Sequence, residues 1–303
     1  MDRREFLQKL TLYSTGAIMT APVFNIIPPV LAKMTQPHLC VGVDKNYQQL
    51  VQKTLAPLGG MSAFVKKGDS VVVKPNIGWD RKPEQAANTH PQIVKSIVEL
   101  ALASGASKVQ VFDRTCNSER MCYSNSGIKQ AIDSINDSRA VCEYIDQRKF
   151  VPVTIKKGKS LKEWSFYKDA QAADCYINVP IAKHHRLGGL TLGFKNVMGI
   201  IGGERGRLHT NLGQYLADLG TVIKPELTVI DATRILMNNG PQGGHLSDVK
   251  VLNTLIASTD MVAADAYATT LFGKKPEDIE STKAAYAMGL GEMNLNQMKI
   301  IKV

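Results

Sequence analysis

The chain has 303 residues, 44% hydrophobic and 21% charged, with a formal net charge of +10. That composition excludes a disordered or fibrous protein, and the length suits one large domain. No Pro-, Gly- or Ser-rich linker and no repeat of fixed period interrupts it, so we read a single domain with a small insertion.

The first residues read MDRREFLQKL, then TLYSTGAIMTAPVFNIIPPVLA. Arg3 and Arg4, followed by Phe6 and Leu7, resemble the RRxFL pattern of a twin-arginine export signal. Val30-Leu31-Ala32 puts small residues where a signal peptidase cuts. Ser14, Gly16, Pro22 and the Pro28-Pro29 pair break the apolar run, which argues against a membrane span of ~20 residues. Residues 1–32 are therefore expected to be a signal read by the twin-arginine export machinery, and 33–303 the working domain. The expected location is the periplasm or another extracytoplasmic space; an uncleaved signal acting as an anchor is the alternative. Removing the signal takes away three cations and two carboxylates and leaves +9. Export makes nucleic acid an unsuitable partner for that charge.

Ser70–Asn76 (SVVVKPN) and Lys108–Thr115 (KVQVFDRT) read as buried strands that end in polar residues. Between them HPQIVKSIVELALASG carries Ile93, Ile97, Leu100 and Ala101 at helical spacing, with Pro91 opening and Gly105 closing the helix. This is a βαβ unit with a right-handed crossover. Residues 139–168 read as a β-hairpin-like insertion, rich in lysine. Asp174–His184 (DCYINVPIAKH) and Leu227–Arg234 (LTVIDATR) are two more buried strands. HTNLGQYLADLG, MVAADAYATTLFG and KPEDIESTKAAYAMGLG read as helices, and KIIKV as a terminal strand. The fold class is α/β: a mainly parallel central sheet with flanking helices, plus the small β-rich insertion.

In open parallel sheets ligands bind beyond the carboxyl ends of the strands. Those ends carry Lys74 and Asn76, Asp113 and Arg114, Lys183 and His184, and Asp231 and Arg234. Convergence of four polar tips predicts one crevice.

Taken in order, VVVKPN, THP before a helix, INVPIAKHH…GFKNVMG, ADL, VIDA, NNGPQGG and ASTDMVAADA resemble the domain of unknown function family 362 over residues 67–303. The resemblance implies an α/β domain of bacteria and archaea with no assigned reaction for most members. Some relatives add a ferredoxin-like module with cysteine clusters. This chain lacks it, which leaves an exported member without that module. A typical relative has Lys-x-Lys-x-His where this chain has IAKHH, so the first lysine of that pattern is missing here.

Three chemistries fit the tips. Lys74, Asn76, Lys195, Asn196, Arg234 and the glycine turn holding Gly243 suit a small carboxylate, phosphate or sulfate. Lys183, with His184 or His185 oriented by Asp113 or Asp231, suits acid/base catalysis, because a lysine among cations has a lowered pKa. His184, His209, Asp113 and Asp231 are suitable ligands for a divalent metal, though widely separated in sequence. Adjacent histidines on a strand face opposite ways, so one at most enters the crevice. No Walker loop, dinucleotide fingerprint or nucleophile elbow is present. Cys40, Cys116, Cys122, Cys142 and Cys175 form no CxxC pair, hence no iron–sulfur motif; a Cys116–Cys122 disulfide stays open. The expected function is an enzyme acting on a small anionic substrate by acid/base or metal-assisted chemistry. A periplasmic anion- or cofactor-binding accessory protein fits the same residues, as does a redox-associated protein with a non-covalent cofactor.

Overall fold

The alternation of apolar side chains decides the layering. Val71 and Val73 bury on one side of their strand and Val72 on the other, and each side meets its own core. The computed structural model describes residues 39–303, and a ten-stranded sheet separates the two cores. In chain order its strands begin with β1 (Leu39–Val43), β2 (Ser70–Pro75), β3 (Lys108–Val111) and β4 (Ala140–Cys142). A hairpin of β5 (Phe150–Thr154) and β6 (Glu163–Tyr167) forms a separate two-stranded sheet. The main sheet resumes with β7 (Cys175–Val179), β8 (Ile181–His185), β9 (Gly189–Thr191), β10 (Leu227–Leu236), β11 (Val249–Ser258) and β12 (Ile300–Lys302). The order is β12-β1-β11-β10-β7-β2-β3-β4, with β8 continuing beside β10 and β9 folding back on β8.

Most pairings are parallel, as the near-continuous apolar runs predict; β11 is antiparallel to both neighbours. The helix over Pro91–Ala103 joins β2 to β3 and packs with the helix over Tyr47–Leu55 on the Val71 side. His90 caps it through Nδ1, which accepts from Gln92 N, and Gly105 ends it at φ +98°. Helices over Leu212–Gly220, Met261–Thr270 and Glu280–Ala287 cover the Val72 side.

Three expectations need correction. The run Asp174–His184 is two strands, because Pro180 has no N–H for a ladder and the pairing shifts from β2 and β10 to β10 and β9. The insertion expected at 139–168 divides: β4 pairs with β3 as the edge of the main sheet, and the hairpin occupies Phe150–Tyr167. KPEDIESTKAAYAMGLG starts as a 3₁₀ turn over Pro276–Asp278 before its helix. β1, inside the expected domain of 33–303 and ahead of the stretch that resembles the family, lies between β11 and β12. The export signal at 1–32 falls outside the described residues. Among the described residues no helix is long and apolar enough to cross a membrane.

Candidate functional site

β2 delivers Lys74 to the Val72 side of the sheet, where its ammonium is 1% exposed. It donates to Asn196 O at 2.6 Å and Asn196 Oδ1 at 2.7 Å, and it pairs by charge with Asp113 Oδ1 at 2.9 Å, outside hydrogen-bond geometry. Burial lowers the Lys74 pKa and Asp113 opposes that fall. The Asp113 carboxylate also accepts from Ile77 N at 2.6 Å. Asn196 in turn donates to Lys74 O and Asn178 Oδ1. Lys74, Asp113 and Asn196 thus form a charge-balanced ionic knot. Its tightness explains Gly199: a Cβ there would run into Asp113 Oδ1 and Lys74 Nζ.

The knot forms one wall of a cavity of about 780 Å³, within the range of small-molecule sites. The short helix Gly193–Asn196 supplies another wall, and Asp265 fixes it by accepting from Gly193 N at 2.7 Å and Phe194 N at 3.1 Å. That helix presents Lys195 to the cavity, and β8 presents Lys183 and His185.

Lys183 is 1% exposed and donates to Ala87 O at 2.5 Å and Asn76 Oδ1 at 3.2 Å, with Nζ 5.9 Å from the centre of the Trp79 ring. Burial pulls its pKa down to about 7. Burial likewise takes Lys195 to about 8; its nearest recorded contact is Met198 Sδ at 2.9 Å. Neither lysine has a carboxylate partner among the described residues. His185 Nδ1 accepts from Leu187 N at 3.2 Å and Gly188 N at 3.0 Å, which leaves the ring proton on Nε2. Burial and then Lys195 press its pKa down to about 3, so the ring is a neutral donor. His209 stacks on it with ring centres 6.0 Å apart.

Of the residues singled out from the sequence, Lys74, Asn76, Asp113, Lys183, His185, Lys195, Asn196 and His209 line this cavity. His184, Asp231, Arg234 and Gly243 do not. His184 faces the other way, with Nδ1 accepting from Gly240 N at 3.1 Å. Asp231 sits inside β10 rather than at its tip, and its carboxylate is spent on His90 N, Thr233 N and Thr233 Oγ1. Arg234 follows it on β10, its Nε and Nη2 buried without hydrogen-bond partners among the described residues. Gly243 packs its backbone against Leu236 at φ +57°. The expected metal set of His184, His209, Asp113 and Asp231 is therefore not assembled. His184 and Asp231 are tied elsewhere and Asp113 is paired with Lys74. Among the described residues no group of three His, Cys, Asp or Glu side chains is arranged to hold a metal ion. Cys116 and Cys122 are both free thiols, and Cys122 Sγ is buried against Gly78 O.

Arg205 and Trp79 line the cavity without having been picked out beforehand. Arg205 staples two loops by donating to Arg114 O, Met198 O and Thr115 O. Trp79 follows β2 in the stretch PNIGW, and an aromatic residue just past a strand tip was the available signal.

A family described as Domain of unknown function (DUF362) matches residues 71–270. The thylakoid-associated protein sll1697 of Synechocystis sp. is 27% identical over 251 residues, covering 78% of this chain and 73% of the relative. A Thermotoga maritima protein of known crystal structure superposes with TM-score 0.49 at 12% identity, covering 75% of this chain and 59% of the other. The lactate racemase apoprotein from Thermoanaerobacterium thermosaccharolyticum gives TM-score 0.44 at 12% identity, covering 75% of this chain and 55% of the other.

Proposed function

The chain belongs to the DUF362 family of domains of unknown function, and we propose that it is an enzyme acting on a small anionic substrate by acid/base chemistry. Lys183 moves the proton and Lys195 holds the anion. One observation carries this reading: two buried lysines reach one cavity, and among the described residues no carboxylate lies within ion-pair distance of either. Burying an unpaired cation is costly, and a bound anion offsets that cost. Lys74 is not part of the recognition, because Asp113 balances its charge and Asn196 accepts two of its hydrogen bonds.

Lys183 suits the proton-moving role. Two hydrogen bonds, to Ala87 O and Asn76 Oδ1, fix the amine while its remaining valence stays open. A pKa near 7 leaves the free amine available at neutral pH and still lets it carry a proton away. Lys195, with its pKa near 8, is still largely an ammonium there.

The test is a thermal-shift screen of small carboxylates, sulfate and inorganic phosphate against the wild type, Lys195→Ala and Lys183→Met. The reading expects at least one anion to raise the wild-type melting temperature, with the shift lost in Lys195→Ala. Equal shifts in all three proteins would place the anion elsewhere and refute it.

We also propose that residues 1–32 export the protein by the twin-arginine route. RRxFL supports this, and the relative named as thylakoid-associated is in keeping with a membrane-bounded setting. Exchanging Arg3 and Arg4 for lysine should trap the precursor; unchanged export would refute the assignment.

A further inference from the structure

Resting on the proposal that this cavity binds an anion, we infer that its substrate is a 2-oxo acid whose carbonyl oxygen takes a hydrogen bond from His185 Nε2 while Lys183 removes a proton from the adjacent carbon. The argument starts from what His185 cannot do. Both backbone donors at Nδ1 fix the tautomer, so the ring has no free lone pair and is not a base. Burial first, then the charges of Lys195 and Lys183 and the His209 ring stacked on it, keep it from taking a second proton; His184, turned to the other side of β8, adds a smaller effect. What remains is a neutral N–H donor in a cavity, 6% exposed, held by its loop and by the His209 ring.

A fixed neutral donor has little use in simple anion capture, where a third cation would bind more tightly. It is suited to an oxygen that is neutral in the substrate and gains charge during reaction, since its interaction then strengthens towards the transition state. A carbonyl is such an oxygen. The base is available on the same strand: Lys183 and His185 are two residues apart on β8, so their side chains leave the same face. Lys195 and His185 line the same cavity, so an anion held by the one can place its carbonyl oxygen at the other. A carboxylate directly attached to the carbonyl matches that adjacency.

The step balances without an oxidant or reductant. The Lys183 amine takes the proton from the carbon next to the carbonyl and becomes an ammonium. The C–H electron pair forms the carbon–carbon double bond, and the carbonyl π pair moves to oxygen. His185 Nε2–H and Lys195 stabilise the resulting enolate. Return of a proton completes exchange or tautomerisation.

The experiment uses the full chain in D₂O with pyruvate, 2-oxobutyrate and 2-oxoglutarate, following loss of the proton signals beside the carbonyl by NMR. Oxalate, a planar mimic of the enolate, is titrated in parallel. We expect exchange by the wild type with at least one acid and none by Lys183→Met. His185→Phe should be slower by about 10²–10³-fold, with partial recovery in His185→Gln, which keeps an N–H donor. Oxalate binding without exchange would overturn this inference and leave the anion reading intact; no binding of oxalate or of any screened anion would overturn both. Exchange that survives in Lys183→Met would overturn the assignment of the base.

Discussion

Replacing Lys183 with methionine should make the protein more stable in mild acid and less so in base. The perturbation removes one buried ammonium of similar length. Burial takes the lysine from 10.5 to about 7, which at ~1.4 kcal/mol for each pH unit is a destabilisation of roughly 5 kcal/mol while both states are protonated. Below pH 7 that cost is present in full. Above it the folded chain loses the proton while the unfolded chain keeps it to about 10.5, so the unfolded state binds more protons and stability rises with pH. Methionine removes this dependence. It also abandons Ala87 O and Asn76 Oδ1, a loss of about 1–3 kcal/mol that does not vary with pH. The variant should therefore lead the wild type by roughly 2–4 kcal/mol at pH 6, with the lead falling by ~1.4 kcal/mol per pH unit above 7. Urea unfolding followed by tryptophan fluorescence from pH 6 to 9 measures the difference. A gap between the two proteins that stays constant over that range would refute a lysine buried with a lowered pKa.

Asp113→Asn leaves the Lys74 ammonium buried without its counter-charge and should cost about 3–5 kcal/mol in the same unfolding assay. Gly199→Ala drives a methyl into that ion pair and should lower both the melting temperature and anion affinity. Burial pushes Asp265 up to about 7, so the folded state holds a proton that the unfolded state loses near 3.8. Its contribution to stability therefore falls as pH rises from about 4 to 7, and Asp265→Asn should flatten that slope in melting curves. Deuterium exchange should rise through pH 7 as Lys183 loses its proton. It should fall above about 8 as Lys195 does, with Lys74, Asp113 and Cys116 as the other charged or titratable groups facing Lys183.

The sheet's centre was legible because β2, β3, β7 and β10 are buried on both faces and read as unbroken apolar runs. The helix at Pro91–Ala103 was legible from its 3.6-residue period and its two caps. β1, with the composition LCVGV, was not: five residues holding a glycine and a cysteine carry too little pattern. The same limit misplaced Asp231. A carboxylate after LTVI reads as a strand end, yet β10 runs on to Leu236 along its pairing with β11, and Asp231 turns its carboxylate to His90 N. Such a partner, 141 residues away, leaves no local mark. Strand alternation correctly limited the cavity to one of the two histidines. Choosing His185 needed the pairing of β8 with β10, which local pattern does not contain. The lysines present the converse case: Lys74 and Lys183 look alike in sequence, and the reach of Asp113 separates the charge-balanced one from the available one.

The most direct test of the central claim is calorimetric titration of the full chain with oxalate at pH 8, repeated in two buffers of different ionisation enthalpy. If the anion is held by Lys183 and Lys195, binding should draw roughly one proton from the buffer, because both amines gain from being charged beside it. That uptake should vanish in Lys183→Met/Lys195→Met together with the binding. Oxalate that binds with no proton uptake, or equally well to the double variant, would contradict the account.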